Sequence, residues 1–447
     1  MYLPADWRNF AYSSTNLLIF MSFAVFLAVA IFVVGYAAIA LEHRLRIHKT
    51  HTALFLGSAL WIVVALFFGV HGVEEALGDI GREIFELVAF LLSAMTLVEI
   101  LIHYRFFDLV RTKIQKFQLT DSGQIWLLST VAFFLSAIID NLTTTIVMIQ
   151  IARRFFRGNN LLVAGSAIVI VANAGGAFSP IGDITTIMLW LAGKFTVGEV
   201  LAWGFLPSVA MMGVSVWLLA RKIQRDTPDS EENGQESFHL TRSERIVVST
   251  ALLSFSLPLI AHFFGLPPYI GLIFGLGATG VAMSFFARVA RRPATHLSAD
   301  IERLLKSVDY ASILFFVGIL LAVGALRHLG ILADISSAIF GPDPATWRLV
   351  LGNTLLGAFS AIVDNIPLTA AAIDIVTSHH PAIWVLLALS VGTGGSLLVI
   401  GSAAGVVAMG MIKELSFKKY FDAAFAPAFI GYIAAIAVWC IEYAVFG

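Results

Sequence analysis

Two short polar runs stand 224 residues apart in otherwise apolar sequence: Ser136-Ala-Ile-Ile-Asp140-Asn141-Leu-Thr143-Thr144 and Ser360-Ala-Ile-Val-Asp364-Asn365-Ile-Pro-Leu-Thr369. A second pair lies downstream of each. Asn173-Ala-Gly-Gly-Ala-Phe-Ser-Pro-Ile-Gly182-Asp183-Ile-Thr185-Thr186 is echoed by Gly392-Thr-Gly-Gly-Ser396 and Ile400-Gly401-Ser402. Carboxylates, amide carbonyls and hydroxyls are hard oxygen donors, which suit hard cations rather than soft metals. The candidate cation and proton site therefore comprises Ser136, Asp140, Asn141, Thr143, Thr144, Asn173, Asp183, Thr185, Thr186, Ser360, Asp364, Asn365, Thr369, Ser396 and Ser402. Carboxylates sharing a desolvated site resist ionising together, so such a site takes up either protons or a metal cation. Asp140 and Asp183 are the best proton carriers, with Asp364 in support. Each aspartate has a structural alternative, since Asp is favoured where it caps a helix N-terminus. Gly175, Gly176, Gly394 and Gly395 read either as hinges beside an ion or as points of close helix packing.

The surroundings place these residues in a membrane. Of 447 residues 59% are hydrophobic and only 13% charged, and the mean hydropathy is +0.88. That is about half the charged share of a soluble protein. The net charge of −1 excludes a basic nucleic-acid face, and one cysteine, Cys440, cannot form an internal disulfide. No HExxH, Walker loop, GxSxG or Cys/His cluster occurs, so neither ATP-driven transport, zinc chemistry nor any bound cofactor is expected. The first apolar run, 17–41, is too long for a signal-peptide core and is expected to be the first membrane helix.

A span needs roughly 20 apolar residues. Uninterrupted crossings are predicted at 17–41, 52–70, 84–103, 199–220, 246–264, 268–287, 309–326 and 421–445. Four further stretches are interrupted: 125–152 at Asp140-Asn141, 349–377 at Asp364-Asn365-Ile-Pro367, 160–193 at Asn173-Ala-Gly-Gly and 382–411 at Gly392-Thr-Gly-Gly. Lys and Arg concentrate in cytoplasmic loops. Treating 125–152 and 349–377 as re-entrant hairpins, and 160–193 and 382–411 as broken crossings, puts 23 of the 28 Lys and Arg on the cytoplasmic side. The outer ones are Arg8, Arg82, Lys194, Arg327 and Arg348. The basic, amphipathic stretch 104–118 is expected to lie along the cytoplasmic interface. Glu86, Glu99 and the His residues are expected to be structural or interfacial, and Asp374 solvated at the outer end of the second hairpin.

The expected fold is thus an all-α polytopic membrane protein of two inverted repeats. Each has five crossings, one of them a broken helix, plus one re-entrant hairpin. The first repeat covers 1–220 and the second 246–447, joined by a cytoplasmic linker at 221–245, with both termini outside. Paired broken helices in inverted repeats are the architecture of secondary transporters, which bind their cargo near the bilayer midplane.

The Asp140-Asn141 and Asp364-Asn365 motifs, Ala94-Met-Thr-Leu-Val-Glu99, the run from Asn173 to Thr186 and Gly392-Thr-Gly-Gly-Ser396 resemble the NhaD-type sodium/proton antiporters. Their superfamily, the ion transporters, also holds sodium-coupled dicarboxylate carriers and arsenite exporters. The likeness runs from about residue 50 to the end. It implies hairpins facing opposite sides, a homodimer, a transport domain moving against a scaffold, and a cation and proton site built from the motif residues. Ser402 stands where an acidic counterpart of Asp183 would fall, so the two halves are not expected to hold equivalent ions.

The expected function is exchange of Na+ or Li+ for H+ across a bacterial cytoplasmic membrane, faster at alkaline pH. The partners are the bilayer, monovalent cations and protons, with no nucleic acid. The rivals are a sodium-coupled anion symporter, disfavoured by three aspartates with no Lys or Arg alongside, and an arsenite-type exporter. A more distant rival is an intramembrane aspartyl protease, whose Gly-x-Gly-Asp signature is absent at Asp183.

Overall fold

The computed structural model describes residues 14–40, 45–68, 73–115, 119–153, 155–223, 240–289, 304–334, 344–362 and 365–447. Among them every regular element is a helix. Asp364 and most of the predicted linker, 224–239, lie outside the described residues.

The first half holds α1 (Ser14–Ala40), α2 (Lys49–Phe68), α3 (Val73–His103), α4 (Phe106–Gln115), α5 (Asp121–Ser136), α6 (Asn141–Ala152), α7 (Gly158–Ala177), α8 (Ile184–Leu191) and α9 (Val197–Ala220). The second holds α10 (Arg242–Ser254), α11 (Leu257–Phe263), α12 (Pro268–Val289), α13 (Tyr310–His328), α14 (Thr346–Phe359), α15 (Asn365–Ile375), α16 (Pro381–Gly394) and α17 (Ala403–Met411). The chain closes with α18 (Phe417–Tyr420), a π-helical turn at Phe421–Phe425 and α19 (Ala426–Phe446).

Among the described residues seven helices are long and apolar enough to cross a membrane: α2, α3, α7, α9, α12, α13 and the continuous Phe417–Phe446 rod. The pair α10–α11, bent by 41° just ahead of Pro258, makes an eighth if counted as one span. The stretch predicted to follow the interface is helical at its centre, as α4.

All four interrupted stretches are broken, but two of the breaks fall later than expected. Helix α7 runs through Asn173 and both glycines and ends at Phe178; the break is Phe178–Asp183. Pro180 explains the stop, because it lacks an N–H and disfavours helical backbone in the residue before it. Helix α16 likewise runs through Gly392 and Gly394, and its break is Gly395–Ser402. The glycines sit where helices touch. A Cβ on Gly175 would lie 2.1 Å from the Phe133 carbonyl oxygen, and one on Gly394 would lie 1.9 Å from that of Gly357.

The chain forms two compact units. One comprises 1–88, 309–349 and 366–377, and the other 89–308, 350–365 and 378–447. In the first, α2 crosses α13 so closely that a Cβ on Gly57 would lie 2.5 Å from the Gly318 carbonyl oxygen. Thr50 Oγ1 donates to the Ala311 carbonyl at 2.9 Å, and Trp61 Nε1 to that of Leu321 at 2.9 Å. In the second unit α7 is buried from Asn160 to Ala177, packed by α5, α6, α9 and α16. There α9 and α19 are pinned by Ser215 Oγ donating to the Pro427 carbonyl at 3.0 Å. Small residues and side-chain hydrogen bonds are what hold helices together where lipid removes the hydrophobic drive.

Candidate functional site

The second unit contains most of the sequence-derived site residues, gathered at the two breaks and the turn before α6. Asp140 has extended backbone and caps α6: its Oδ1 accepts the Thr143 N–H at 2.7 Å. Next to it, Asn141 Nδ2 donates to Asn173 Oδ1 at 3.0 Å, and Asn173 Nδ2 donates to Ser402 Oγ at 3.1 Å. Ser402 Oγ also accepts the Gly405 N–H at 3.2 Å, capping α17. One hydrogen-bonded chain thus joins the starts of α6 and α17 through Asn173, near the C-terminal end of α7.

Asp183 occupies the capping position of α8 with extended backbone, yet its side chain makes no capping bond. It is 2% exposed. Its carboxylate lies against the bare backbone of Gly392: a Cβ there would stand 3.0 Å from Asp183 Oδ2 and 3.7 Å from Thr185 Oγ1. The positive end of the α8 dipole favours negative charge at this point. Thr144 Oγ1 and Thr185 Oγ1 are buried with no hydrogen-bond partner among the described residues.

Other predicted residues serve the frame. Ser136 Oγ donates to the Ala172 carbonyl at 2.6 Å, and Ser360 Oγ to the Val391 carbonyl at 3.0 Å. Ser396 Oγ donates to the Thr393 carbonyl at 2.5 Å. Thr186 Oγ1 reaches the Ala177 carbonyl at 3.5 Å. Asn365 and Thr369 are buried in α15, and Thr369 belongs with the first unit. Glu86 and Glu99 are half-buried along α3.

Sequence reasoning missed three features. Gly392 was read only as a break, whereas it makes room for the Asp183 carboxylate. Tyr420, fully buried beside the π-helical turn, donates its hydroxyl to the Ser396 carbonyl at 2.6 Å; no spacing pointed to it. Asp374 is not solvated: it is 18% exposed and paired with Arg327, Nε to Oδ2 2.8 Å.

Known proteins share this sequence along most of its length. The family model described as citrate transporter (CitMHS) matches residues 36–392. The chain is 36% identical to Sodium/proton antiporter 1 of Arabidopsis thaliana over 92% of this chain and 71% of that one. It is 31% identical to the Na+/H+ antiporter NhaD of Alkalimonas amylolytica over 96% and 93%. With the Vibrio cholerae NhaD it shares 32% over 86% and 84%. The chain belongs to the citrate-transporter family and, within it, to the NhaD-type antiporters.

Proposed function

We propose that this protein is a secondary transporter exchanging Na+ or Li+ for H+ across the bacterial cytoplasmic membrane, by alternating access at a midplane carboxylate site. The observation that carries the reading is Asp183: a buried carboxylate at a helix start, against bare Gly392 backbone and beside Thr185. One carboxylate cluster binds either the cation or protons, and the loaded domain changes sides before release. Competition for one site makes exchange faster at alkaline pH, where the carboxylates are free to take Na+.

In the same reading the chain makes ten crossings and two re-entrant hairpins, 125–152 and 349–377. Inverted repeats at 1–220 and 246–447 flank the 221–245 linker, both termini lie outside, and the protein works as a homodimer. The matching contacts of Ser136 and Ser360 support the repeat. The relatives named as Na+/H+ antiporters support the cargo.

The test uses proteoliposomes holding a pH dye under an inside-acid gradient. Adding NaCl or LiCl should alkalinise the lumen, and Asp140→Asn and Asp183→Asn should abolish the signal. Flat activity between acid and alkaline pH would refute competition at one site. The family model's description favours a second reading, anion symport; silence towards Na+ together with Na+-dependent uptake of labelled succinate or citrate would establish it.

A further inference from the structure

The first unit contains a charge cluster that the exchange reaction leaves without a role. Arg327, near the end of α13, donates from Nη1 to Glu83 Oε1 of α3 at 2.8 Å and from Nη2 to Glu83 Oε2 at 3.4 Å. Its Nε donates to Asp374 Oδ2 of α15 at 2.8 Å. One guanidinium thus holds carboxylates on two other helices in the forked geometry that gives Arg its orientational control. Asp374 is the most buried of the three at 18% exposed, against 35% for Arg327 and 47% for Glu83.

The support behind Arg327 is closely packed, and α15 is a short helix held in place by its surroundings. On α13, Gly324 abuts Ile80 of α3, where a Cβ would stand 2.4 Å from Ile80 Cδ1, and Gly318 abuts Ala53 of α2. Helix α15 has 11 residues with Pro367 in its first turn, a length that is marginal for a helix standing alone. It begins at Asn365, directly after Asp364 in the chain, and Asp374 lies about 13 Å farther along at 1.5 Å per residue. Asp374 and Asn365 lie on one continuous helix, so an anchor at the Asp374 end bears on the end that carries Asn365. The first half has no such charge: 224 residues earlier the position of Asp374 is Gln150.

We propose that Arg327 is a positioning residue for the second Asp-Asn motif, holding α15 through Asp374 so that Asn365 is presented to the transported cation. The proposal rests on the exchange reading for its consequence, though not for the anchor itself. Wild type, Arg327→Gln, Arg327→Lys and the charge-swapped double variant Arg327→Asp/Asp374→Arg would be purified and reconstituted. Hydrogen exchange over 365–375 reads the anchor, with 381–394 as internal control. The Na+ dependence of dye alkalinisation reads its consequence.

Arg327→Gln should speed exchange in α15 and raise the half-saturating Na+ concentration about fivefold, the scale of a lost partly exposed ion pair. The maximal rate should stay within about twofold, because the group touches no cargo. Lysine should recover part of both effects, and the swapped pair, which keeps the pairing with α15 but loses the Glu83 bond, a smaller part. Unchanged α15 protection, or lost protection with an unchanged Na+ dependence, would overturn the proposal. If Arg327→Gln loosens the whole molecule, Arg327→Lys decides, and its failure to restore any α15 protection counts against the anchor. A wild-type protein without any Na+ response would instead overturn the exchange reading, while hydrogen exchange still decides the anchor.

Discussion

The breaks Phe178–Asp183 and Gly395–Ser402 are built on matching contacts. Ser136 and Ser360 each donate to a carbonyl of the following broken helix, at Ala172 and Val391. Gly175 touches α5 and Gly394 touches α14, both through backbone, and Gly182 and Gly401 each abut the turn at Ala137 and Ala361. The groups able to do chemistry do not match. At a displacement of 219 residues, Asn173 becomes Gly392 and Asp183 becomes Ser402. Each break then faces the other half: Asp183 against Gly392, and Ser402 against Asn173. The first half supplies the carboxylate and the amide, and the second supplies space and a hydroxyl. Shared packing residues keep the frame; the differing pair decides where charge can sit.

The widest gap between the breaks should be in transport. Asp183→Asn should reduce Na+-driven proton movement to background, whereas Ser402→Ala should cost about 1 kcal/mol of stability through its lost cap and leave exchange measurable. Equal loss in both would break the comparison. Next come the shared glycines. Gly175→Ala and Gly394→Ala should each destabilise by about 2–3 kcal/mol through overpacking against backbone, read as thermal unfolding in detergent; a variant as stable as wild type would show that the crossing is looser than described.

Gly392→Ala sharpens the contrast, because its methyl would press on Asp183 rather than on the frame. Exchange should slow about tenfold, as misplaced reacting groups do, with folded yield preserved. Smallest is the serine pair. Ser136→Ala and Ser360→Ala should each cost about 1 kcal/mol, one buried hydrogen bond. Clearly unequal costs would mean that the two frames are not equivalent.

The order of helices and the existence of four interruptions were legible in the sequence, because apolar runs and polar gaps are local patterns. The exact breaks were not. Gly175-Gly176 and Gly394-Gly395 look like helix breakers, but in lipid small residues mark helix contact, and Pro180 carries the stop in the first half. Asp140-Asn141 was found by its repetition, and its cap on α6 follows from local chain geometry. The Asn141–Asn173–Ser402 chain was invisible, since its last link joins residues 229 positions apart. The pairing of Arg327 with Asp374, 47 residues on, was hidden for the same reason: both looked like ordinary charges at span ends.

The crossing of α2 and α13 also fixes how force can pass through the first unit. Thr50 and Trp61 grip carbonyls of α13 on either side of the Gly57–Gly318 contact. An axial slip of one residue is about 1.5 Å, enough to lose both grips and drive the helix backbones out of their groove together. Nothing in that arrangement yields gradually. A load applied along one helix is therefore borne by both.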